Sequence, residues 1–362
     1  MQKKRIRMIS AAVAVSIPLG AAVIGGVAVP AAQAQTVTTA SPSKTTLPTT
    51  KPVIGMNLYV QQNYSLADVT AWGTRDLAYI ADTLKLKAVA IDWNYNVPYY
   101  GASVVESSPT RTPTIADLRE LTKIAESDGL RVQYRALFTV NNSDKRSSSI
   151  VPRNLGAWLS SLLSAERPAL RLAQREHVRG FVVGTEMASV DQSPLWRGFF
   201  RRARRIYHGA LSYASWGGRA ATGGFFDKGG VRLPTYQLGA TAYPPIDLPR
   251  TATVAQLTTA WEQFLTANTP ASVLRRTTID EMGIPAIAGA YHDPWVWTGH
   301  TGPLDPAIQA NWYQAACAAV TAEHMSGLYF WSMPLDSDPA NPFPSLVGWE
   351  GLPDSIAAIQ AC

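Results

Sequence analysis

From residue 53 onward, the chain alternates short apolar runs with longer segments of helical character. A run such as 178–186 (VRGFVVGTE) is short and rich in valine, which is typical of a buried strand. Strands that alternate with helices are typical of βαβ units around a parallel sheet. Eight runs qualify as strands: 53–59, 87–93, 131–138, 178–186, 209–216, 237–243, 276–283 and 327–333.

The segments between these strands carry helical signals. In 112–129, Thr112 or Thr114 can cap the start of a helix and Gly129 can end it. The link between the fifth and sixth strands, 217–235, is rich in glycine, and we expect it to be mostly loop. The predicted helices are 65–84, 112–129, 153–175, 194–207, 252–267 and 304–324.

Eight strands alternating with helices over roughly 300 residues predict an α/β fold, a (β/α)8 TIM barrel. The rival fold is a doubly wound open sheet, which usually has a glycine-rich phosphate turn after its first strand. The sequence at that place, GMNLYVQQN (55–63), does not supply one. We therefore expect one barrel domain over residues 52–362.

The first residues read as an export signal. A basic start (residues 3–7) precedes an apolar run (8–29), and the AQA at 32–34 has the small-x-small form of a cleavage site. We expect residues 1–34 to be a cleaved signal peptide, although a run of this length can also serve as an uncleaved membrane anchor. The segment 35–51 is rich in Ser, Thr and Pro, and we interpret it as a linker.

These features predict a secreted or cell-envelope-associated protein with no stable membrane insertion after signal cleavage. No later stretch is long and apolar enough to span a bilayer. The net charge is +6, but four of the positive charges lie in the N-terminal segment, which contains no acid. The remaining +2 gives no case for a nucleic-acid partner.

Polar and aromatic residues stand where the predicted strands end. In a TIM barrel the catalytic groups sit at the carboxyl ends of the strands, so these residues are the candidate site. Carboxylates end the fourth and seventh strands, which lie on opposite sides of the barrel mouth. The candidates are Asn57, Tyr59, Asp92, Trp93, Arg135, Glu186, Trp216, Tyr243, Glu281 and Trp331, together with Trp295 and Trp297 in the loop after the seventh strand.

Two facing carboxylates suit cleavage of a glycosidic bond. One acid must be protonated to give a proton to the leaving oxygen, and the other must be ionised to attack the sugar carbon or activate water. The aromatic residues fit the same chemistry, because sugar rings present apolar C–H faces that stack on Trp and Tyr.

The strand ends resemble the clan of retaining β-glycosidases with acids on strands four and seven, and most of all glycoside hydrolase family 113. The stretches that carry the resemblance are VVGTE, LSYASW, QLGATAYPPID, TTIDEMG and GLYFWSM, with weaker support from IGMNLY, between about residues 53 and 350. The resemblance implies β-mannanase activity. It also implies that Glu186 is the acid/base, Glu281 the nucleophile and Tyr243 a hydrogen-bonding partner near the nucleophile.

The sequence departs from this pattern at two positions. Most members of the clan have Asn before the acid/base, where it contacts the sugar 2-hydroxyl, and Thr185 stands here. Pro245 stands after the sixth strand, where related chains tend to carry other residues. The shape of the part of the site that holds the leaving group is therefore not implied by the resemblance.

The charged candidates can also be explained without a catalytic role, or leave a choice between neighbours. Glu186 can be a carboxylate at a helix N-terminus, stabilised by the helix dipole. Asp280 competes with Glu281, because successive strand residues face opposite sides and only one of them can point into the mouth. Asp92 is either a site residue or a cap, and Arg135 either contacts a site carboxylate or forms a structural ion pair.

Each tryptophan is either core or sugar platform, and the polar loop favours exposure of Trp295 and Trp297. We expect no metal and no cofactor, because the five histidines form no metal-ligand spacing. The preferred function is a secreted, endo-acting retaining glycoside hydrolase, monomeric, whose partner is a polysaccharide or oligosaccharide substrate. The alternatives are a non-catalytic carbohydrate-binding TIM barrel and a hydrolase of a cell-envelope glycan other than mannan.

The only two cysteines are Cys317 and Cys362. They fall on the helix before strand eight and at the end of the chain after it, on neighbouring outer helices of a closed barrel. An exported protein meets an oxidising compartment, so we expect a disulfide between them. The alternative is a buried free Cys317, with Cys362 in solvent.

Overall fold

A computed structural model describes residues 51–141, 147–187, 189–191, 193–216, 238–267, 269–297, 302–341 and 348–362. In these residues eight parallel strands follow each other around a closed barrel in chain order. This arrangement confirms the predicted (β/α)8 TIM barrel. The strands are β1 (Val53–Val60), β2 (Ala88–Val97), β3 (Arg131–Val140), β4 (Gly180–Thr185), β5 (Ala210–Trp216), β6 (Leu238–Thr241), β7 (Thr277–Met282) and β8 (Gly327–Pro334).

Helices form the outer layer, and the six predicted ones are all present. A π-helical turn, Tyr79–Thr83, extends the first of them, and a 3₁₀ turn, Ser147–Ser149, precedes the third. The α-helices of the described residues are α1 (Leu66–Ala78), α2 (Ile115–Ser127), α3 (Leu155–Arg175), α4 (Trp196–Arg204), α5 (Val254–Thr266), α6 (Ala271–Leu274), α7 (Pro306–Ala322) and α8 (Pro353–Gln360).

The limits of α2 follow from its terminal residues. Of the two predicted caps, Thr114 is the one used: its side chain accepts from the amide of Asp117, whose carboxylate accepts in turn from the Thr114 amide. Thr112 lies in the preceding loop and donates to the carbonyl of Asn94 at 2.7 Å. Gly129 follows the helix with a φ of +75°, a left-handed conformation that glycine adopts without strain.

The apolar core lies between the strands and the helices, whereas the barrel interior is polar. Side chains alternate along β2, so Asp92 points into the barrel and Trp93 points outward. Trp93 is fully buried and packs edge-on against Tyr134 and Phe181 at centroid distances of 5.4 and 6.0 Å. The prediction that Trp93 contacts substrate at the mouth is therefore wrong, because strand alternation directs its ring into the core.

Two outer helices are joined covalently at the end of the chain. Cys317 of α7 and Cys362, which follows α8, form a disulfide with their Cα atoms 5.4 Å apart. The predicted disulfide is thus confirmed.

Several predictions fall on other parts of the chain. The signal peptide (1–34), most of the linker (35–51) and the glycine-rich link (217–235) lie outside the described residues. Within the part that the structure describes, no helix has the length and apolarity needed to cross a membrane.

Candidate active site

Glu281 lies at the mouth end of β7, and both of its carboxylate oxygens are held. The hydroxyl of Tyr243 donates to Oε1 at 2.6 Å, and Nη2 of Arg135 donates to Oε2 at 2.7 Å. The side chain of Glu281 is 12% exposed, whereas that of Arg135 is fully buried. Glu281 is therefore accessible from the mouth, whereas the Arg135 guanidinium that holds it is buried.

Arg135 of β3 links several strands at the centre of the barrel. Its guanidinium lies 2.9 Å from Asp92 of β2, and its Nη1 donates to the main-chain carbonyl of Asp280 at 2.9 Å. It also lies over the indole ring of Trp331, 5.0 Å from the ring centroid. Arg135 thus contacts a site carboxylate and also forms a structural ion pair, so both sequence interpretations hold.

The ion pair between Arg135 and Asp92 also settles the position of Asp92. Asp92 is fully buried inside the barrel, so it is not a helix cap. Burial raises its pKa, and the positive charge of Arg135 opposes that shift. Asp92 and Glu281 therefore share one guanidinium, whose positive charge offsets part of the cost of burying carboxylates beside each other.

Asn57 of β1 supports the site from the same depth. It is fully buried, and its amide donates to the carbonyls of Asp280 and Phe330 at 3.1 and 3.0 Å. Asn57, Asp92 and Arg135 were predicted to contact substrate, but all three are fully buried below the mouth. They hold the backbone and the carboxylate of the site, because they lie one layer deeper in the barrel than Glu281.

Asp280 and Glu281 both turn into the barrel, which strict alternation forbids. In the pairing of β7 with β6, Ala240 faces Ile279 while the next residue, Thr241, faces Glu281, so one extra residue is accommodated at position 280. The Asp280 carboxylate accepts from Nε2 of Gln133 at 3.0 Å, one layer below Glu281. Only Glu281 reaches the mouth, as the resemblance implied, although the reason is the different depth of the two carboxylates and not strict alternation.

Glu186 follows β4 directly and adopts a left-handed conformation, with a φ of +54°. Its amide donates to the carbonyl of Ala214, and the next amide, of Met187, donates to the hydroxyl of Tyr213 at 2.8 Å. Both partners belong to β5. Left-handed backbone is costly for a residue with a side chain and is concentrated at functional sites. The contacts with β5 hold Glu186 in this conformation and set the direction of its side chain.

Tyr243 connects the two acids electrostatically. Its pKa is raised mainly by burial, and next by the negative charge of Glu281; Glu186 raises it further. The hydroxyl therefore stays protonated and donates to Glu281. The charges of both Glu281 and Glu186 therefore act on the hydroxyl of Tyr243.

The aromatic residues of the site form two groups. On one side, the Trp216 ring is stacked on that of Tyr243, with centroids 6.5 Å apart, and contacts Trp295 at 6.3 Å. On the other side, Tyr59 contacts Trp331 at 5.4 Å. All except Tyr243 are partly exposed. The mouth thus has aromatic surfaces on both sides of Glu281.

A cavity of about 350 Å³ lies on the Trp331 side. Trp297 and Trp331 line it, together with acidic side chains from the segment after β8. Trp297 packs against Gly283, where an added Cβ would come within 2.9 Å of the indole ring. Partial exposure of Trp295 and Trp297 agrees with the expectation from their polar loop.

Sequence reasoning missed two supporting residues. Gln133 lies two positions before Arg135, so alternation along β3 was the signal that placed it inside the barrel. Asn94 lies two positions after Asp92, and its amide hydrogen-bonds to the hydroxyl of Tyr59. Among the described residues, no three His, Cys, Asp or Glu side chains are grouped so that they could hold a metal ion.

Comparison with known proteins identifies the family. The sequence model of glycoside hydrolase family 113 matches residues 69–341. This chain belongs to glycoside hydrolase family 113. It is therefore a glycoside hydrolase, and the barrel mouth that holds Glu186 and Glu281 is the place where such an enzyme acts.

Solved structures of family 113 share the fold. The β-mannanase AaManA from Alicyclobacillus acidocaldarius, solved with ManMIm, is 22% identical with a TM-score of 0.66, covering 85% of this chain and 96% of the other. A family 113 β-1,4-mannanase solved as a complex is 17% identical with a TM-score of 0.70, covering 86% and 97%. A GH5_18 protein from Streptomyces cattleya, solved with GlcNAc, is 17% identical with a TM-score of 0.54, covering 86% and 79%. The search among curated proteins gave no match.

Proposed function

We propose that this family 113 protein is an exported, retaining, endo-acting hydrolase of a β-mannan-type polysaccharide. The observation that carries the proposal is the setting of Glu281, whose two oxygens accept from Tyr243 and Arg135. A carboxylate held in this way is oriented, and the guanidinium beside it offsets its negative charge, as suits a nucleophile. A non-catalytic sugar-binding barrel has no use for such an arrangement.

The two acids divide the reaction between them. In the first step Glu281 attacks the anomeric carbon, the bond from that carbon to the leaving oxygen breaks, and Glu186 gives its proton to that oxygen. In the second step Glu186 takes a proton from water, whose oxygen attacks the anomeric carbon and releases Glu281. Two displacements at one carbon retain the anomeric configuration.

The proposed substrate class rests on the solved relatives of family 113 and on the aromatic residues at the barrel mouth. Two solved family 113 relatives are described as β-mannanases. Partly exposed aromatic residues flank Glu281 on both sides, with Trp216 and Trp295 on one and Tyr59 and Trp331 on the other. Sugar units on both sides of the cleaved bond can stack on them, which suits an endo-acting enzyme.

Hydrolysis of a β-mannan and of aryl β-mannosides, followed by NMR of the first product, tests this function. We expect the β-anomer to appear first. Glu281→Ala should abolish turnover on every substrate, whereas Glu186→Ala should spare aryl substrates whose leaving group needs no proton, and added azide should rescue it.

Two results would contradict these roles. The α-anomer as first product would show inversion, for which the two carboxyl groups should stand roughly 6.5–9.5 Å apart instead of about 5–5.5 Å. Equal losses on aryl and natural substrates in both variants would remove the distinction between nucleophile and acid/base.

Export is the second part of the proposal and is independent of the chemistry. The apolar run at 8–29 and the AQA at 32–34 support cleavage after Ala34. Expression of the full chain in a secreting host, with N-terminal sequencing of the protein in the medium, should give a mature chain that starts at Gln35. A protein that stays in the membrane fraction with residues 1–34 attached would instead be anchored.

A further inference from the structure

One nitrogen atom of Arg135 lies between two carboxylates. This atom, Nη2, is 2.7 Å from Oε2 of Glu281 and 2.9 Å from Oδ2 of Asp92. Nε donates to the same oxygen of Asp92 at 3.1 Å, and Nη1 donates to the carbonyl of Asp280 at 2.9 Å. Asp92 and the backbone of β7 therefore fix the plane of the guanidinium, and the guanidinium in turn holds Glu281.

The side chain of Asp92 has this guanidinium as its one hydrogen-bonding partner in the part of the chain that the structure describes. It is fully buried, and its second oxygen, Oδ1, has no hydrogen-bond partner there. A buried carboxylate costs free energy, and pairing with a single cation offsets that cost only in part. The barrel interior thus keeps a costly acid whose partner is the residue that holds Glu281.

Arg135 faces more negative charge than one guanidinium can balance. Among the described residues it is the only arginine or lysine that is buried. Burial lowers the pKa of its guanidinium, but the negative charges of Asp92, Glu281 and Asp280 together raise it above the ordinary value. One positive charge therefore serves several carboxyl groups, and the share that Asp92 takes is not available to Glu281.

The other titratable groups around Glu281 do not change this balance. Tyr243 from β6 donates a neutral hydroxyl, and Glu186 after β4 adds negative charge to the same region. On the β1 side, burial raises the pKa of Tyr59, and the positive charge of Arg111 lowers it. Arg111 is exposed, so solvent screens its charge. How much positive charge reaches Glu281 therefore depends mainly on how Arg135 is shared.

We propose that Asp92 is a positioning residue for the nucleophile. It fixes the guanidinium that orients Glu281 and takes part of its positive charge, so that Glu281 is held in place without being neutralised. The proposal rests on the proposed function for the role of Glu281 as the nucleophile of a retaining reaction. Asp92 is buried below the mouth, so it acts through Arg135 and not on the substrate.

The charge of Asp92 acts in opposite directions on the two steps of the reaction. When Glu281 attacks the anomeric carbon, its negative charge passes into the new bond, so a guanidinium that pairs fully with it slows the attack. When that bond breaks, negative charge returns to the carboxylate, so the same guanidinium assists departure. Asp92→Asn leaves the whole charge of Arg135 to Glu281 and keeps an oxygen that can accept from the guanidinium.

Two aryl β-mannosides separate these steps. A phenyl leaving group makes the attack slow, whereas a dinitrophenyl group leaves readily and makes the departure of Glu281 limiting. We expect Asp92→Asn to lower kcat/KM on the phenyl substrate by about tenfold, while kcat on the dinitrophenyl substrate stays equal or rises. The acidic limb of the kcat/KM profile should move to lower pH by about one unit. Glu166→Gln, which alters a fully buried acid of α3 outside the site, is the control and should change none of these values.

A shared guanidinium also predicts a coupling that does not depend on activity. In the parent protein Glu281 still pairs with Arg135 when Asp92 loses its charge, but in Glu281→Gln it cannot. Asp92→Asn should therefore lower the urea midpoint of Glu281→Gln more than that of the parent protein, because it leaves a buried guanidinium without either ion-pair partner. Failure of the double variant alone to fold counts as this larger loss.

Two results would refute the positioning role. One is an equal loss on both aryl substrates with the acidic limb unmoved, even if the enzyme retains configuration. The other is the same change of urea midpoint in both backgrounds, or loss of folding in Asp92→Asn alone, since the two acids would then not share Arg135. If no β-mannoside is hydrolysed, or the α-anomer appears first, while the coupling is found, the shared guanidinium stands and the proposed function fails.

Discussion

The hydroxyl of Tyr243 makes the shortest contact of Glu281, 2.6 Å to Oε1. Tyr243→Phe removes this donor and keeps the ring beside Trp216. We expect kcat on a β-mannan to fall by about 10²-fold, because a preorganised donor at a reacting carboxylate is typically worth that much. The free energy of unfolding should change by only about 1 kcal/mol, measured by urea denaturation.

Tyr313→Phe is the control for this substitution. Tyr313 is likewise a buried tyrosine, and its hydroxyl has no hydrogen-bond partner in the described part of the chain. Loss of its hydroxyl should leave kcat unchanged. Equal kcat losses in the two variants would mean that the Tyr243 effect comes from packing and not from the bond to Glu281.

Asp280 gives stability a dependence on pH. Burial raises its pKa to about 7, with a smaller contribution from Glu281, while Gln133 and Arg135 oppose the shift. A raised carboxyl pKa favours the folded state below the unfolded pKa of about 4, and this stability is lost as pH rises toward 7. Asp280→Asn removes the titration and keeps the shape.

The unfolding free energy of Asp280→Asn relative to the parent protein should therefore increase between pH 4 and pH 8. A shift of about three pKa units corresponds to roughly 4 kcal/mol, as an order of magnitude for a fully buried group. Urea denaturation of both proteins at the two pH values measures it. A difference between them that does not vary with pH would show that Asp280 is ionised throughout this range.

At the residue scale, the sequence predicted which side chains come together at the site, but not how deep in the barrel each of them lies. Glu281, Tyr243 and Arg135 meet as expected, because they end neighbouring or facing strands of a closed barrel. Trp93 was misplaced because position at a strand end does not say which face a residue occupies. That Asp280 also turns into the barrel was not predicted, because the extra residue in β7 is a property of strand pairing, and no pattern in the sequence marks it.

At the scale of elements, all eight strands were predicted, and the predicted and observed strands differ only in where they begin and end. β4 ends at Thr185 because Glu186 adopts a left-handed conformation. β6 ends at Thr241, two residues before its predicted end and just before Pro244 and Pro245, which cannot donate to a ladder. Local conformation decides these ends, whereas the apolar run decides only that a strand exists.

Helix α3 carries an acid on the face that it presents to the barrel. Glu166 is fully buried, neither of its carboxylate oxygens has a hydrogen-bond partner in the described residues, and burial raises its pKa. Glu166→Leu replaces it with a side chain of similar size that suits an apolar interface. We expect the free energy of unfolding at pH 7 to increase by about 1–3 kcal/mol.

Glu166→Gln separates the two causes of this effect. It removes the ionisation but leaves a polar group in the same place, so it should recover only part of the gain. Urea denaturation of the three proteins gives the comparison. A loss of stability in Glu166→Leu would mean that the carboxyl group has a role in the interface that its contacts do not reveal.

At the scale of the whole molecule, the count and order of elements were enough to predict the barrel, because few folds alternate eight strands with helices. The polar interior was not predictable in the same way. It depends on which face of each strand carries Asp92, Gln133 and Arg135, and on how far each strand is shifted against the next. Those shifts arise from pairing between segments that are distant in the sequence.

The bond between Cys317 and Cys362 acts on the whole molecule, since it ties the end of the chain to α7. It closes a loop of 45 residues, and the chain-entropy model gives about 4 kcal/mol for such a loop. Cys362→Ala breaks the bond without altering the buried site of Cys317. We expect Tm to fall by about 5–10 °C, while kcat at 25 °C stays the same because the bond lies in the outer layer.

A reductant should lower the Tm of the parent protein to the same value and leave that of Cys362→Ala unchanged. Two free thiols in the denatured, unreduced parent protein would show that the bond does not form.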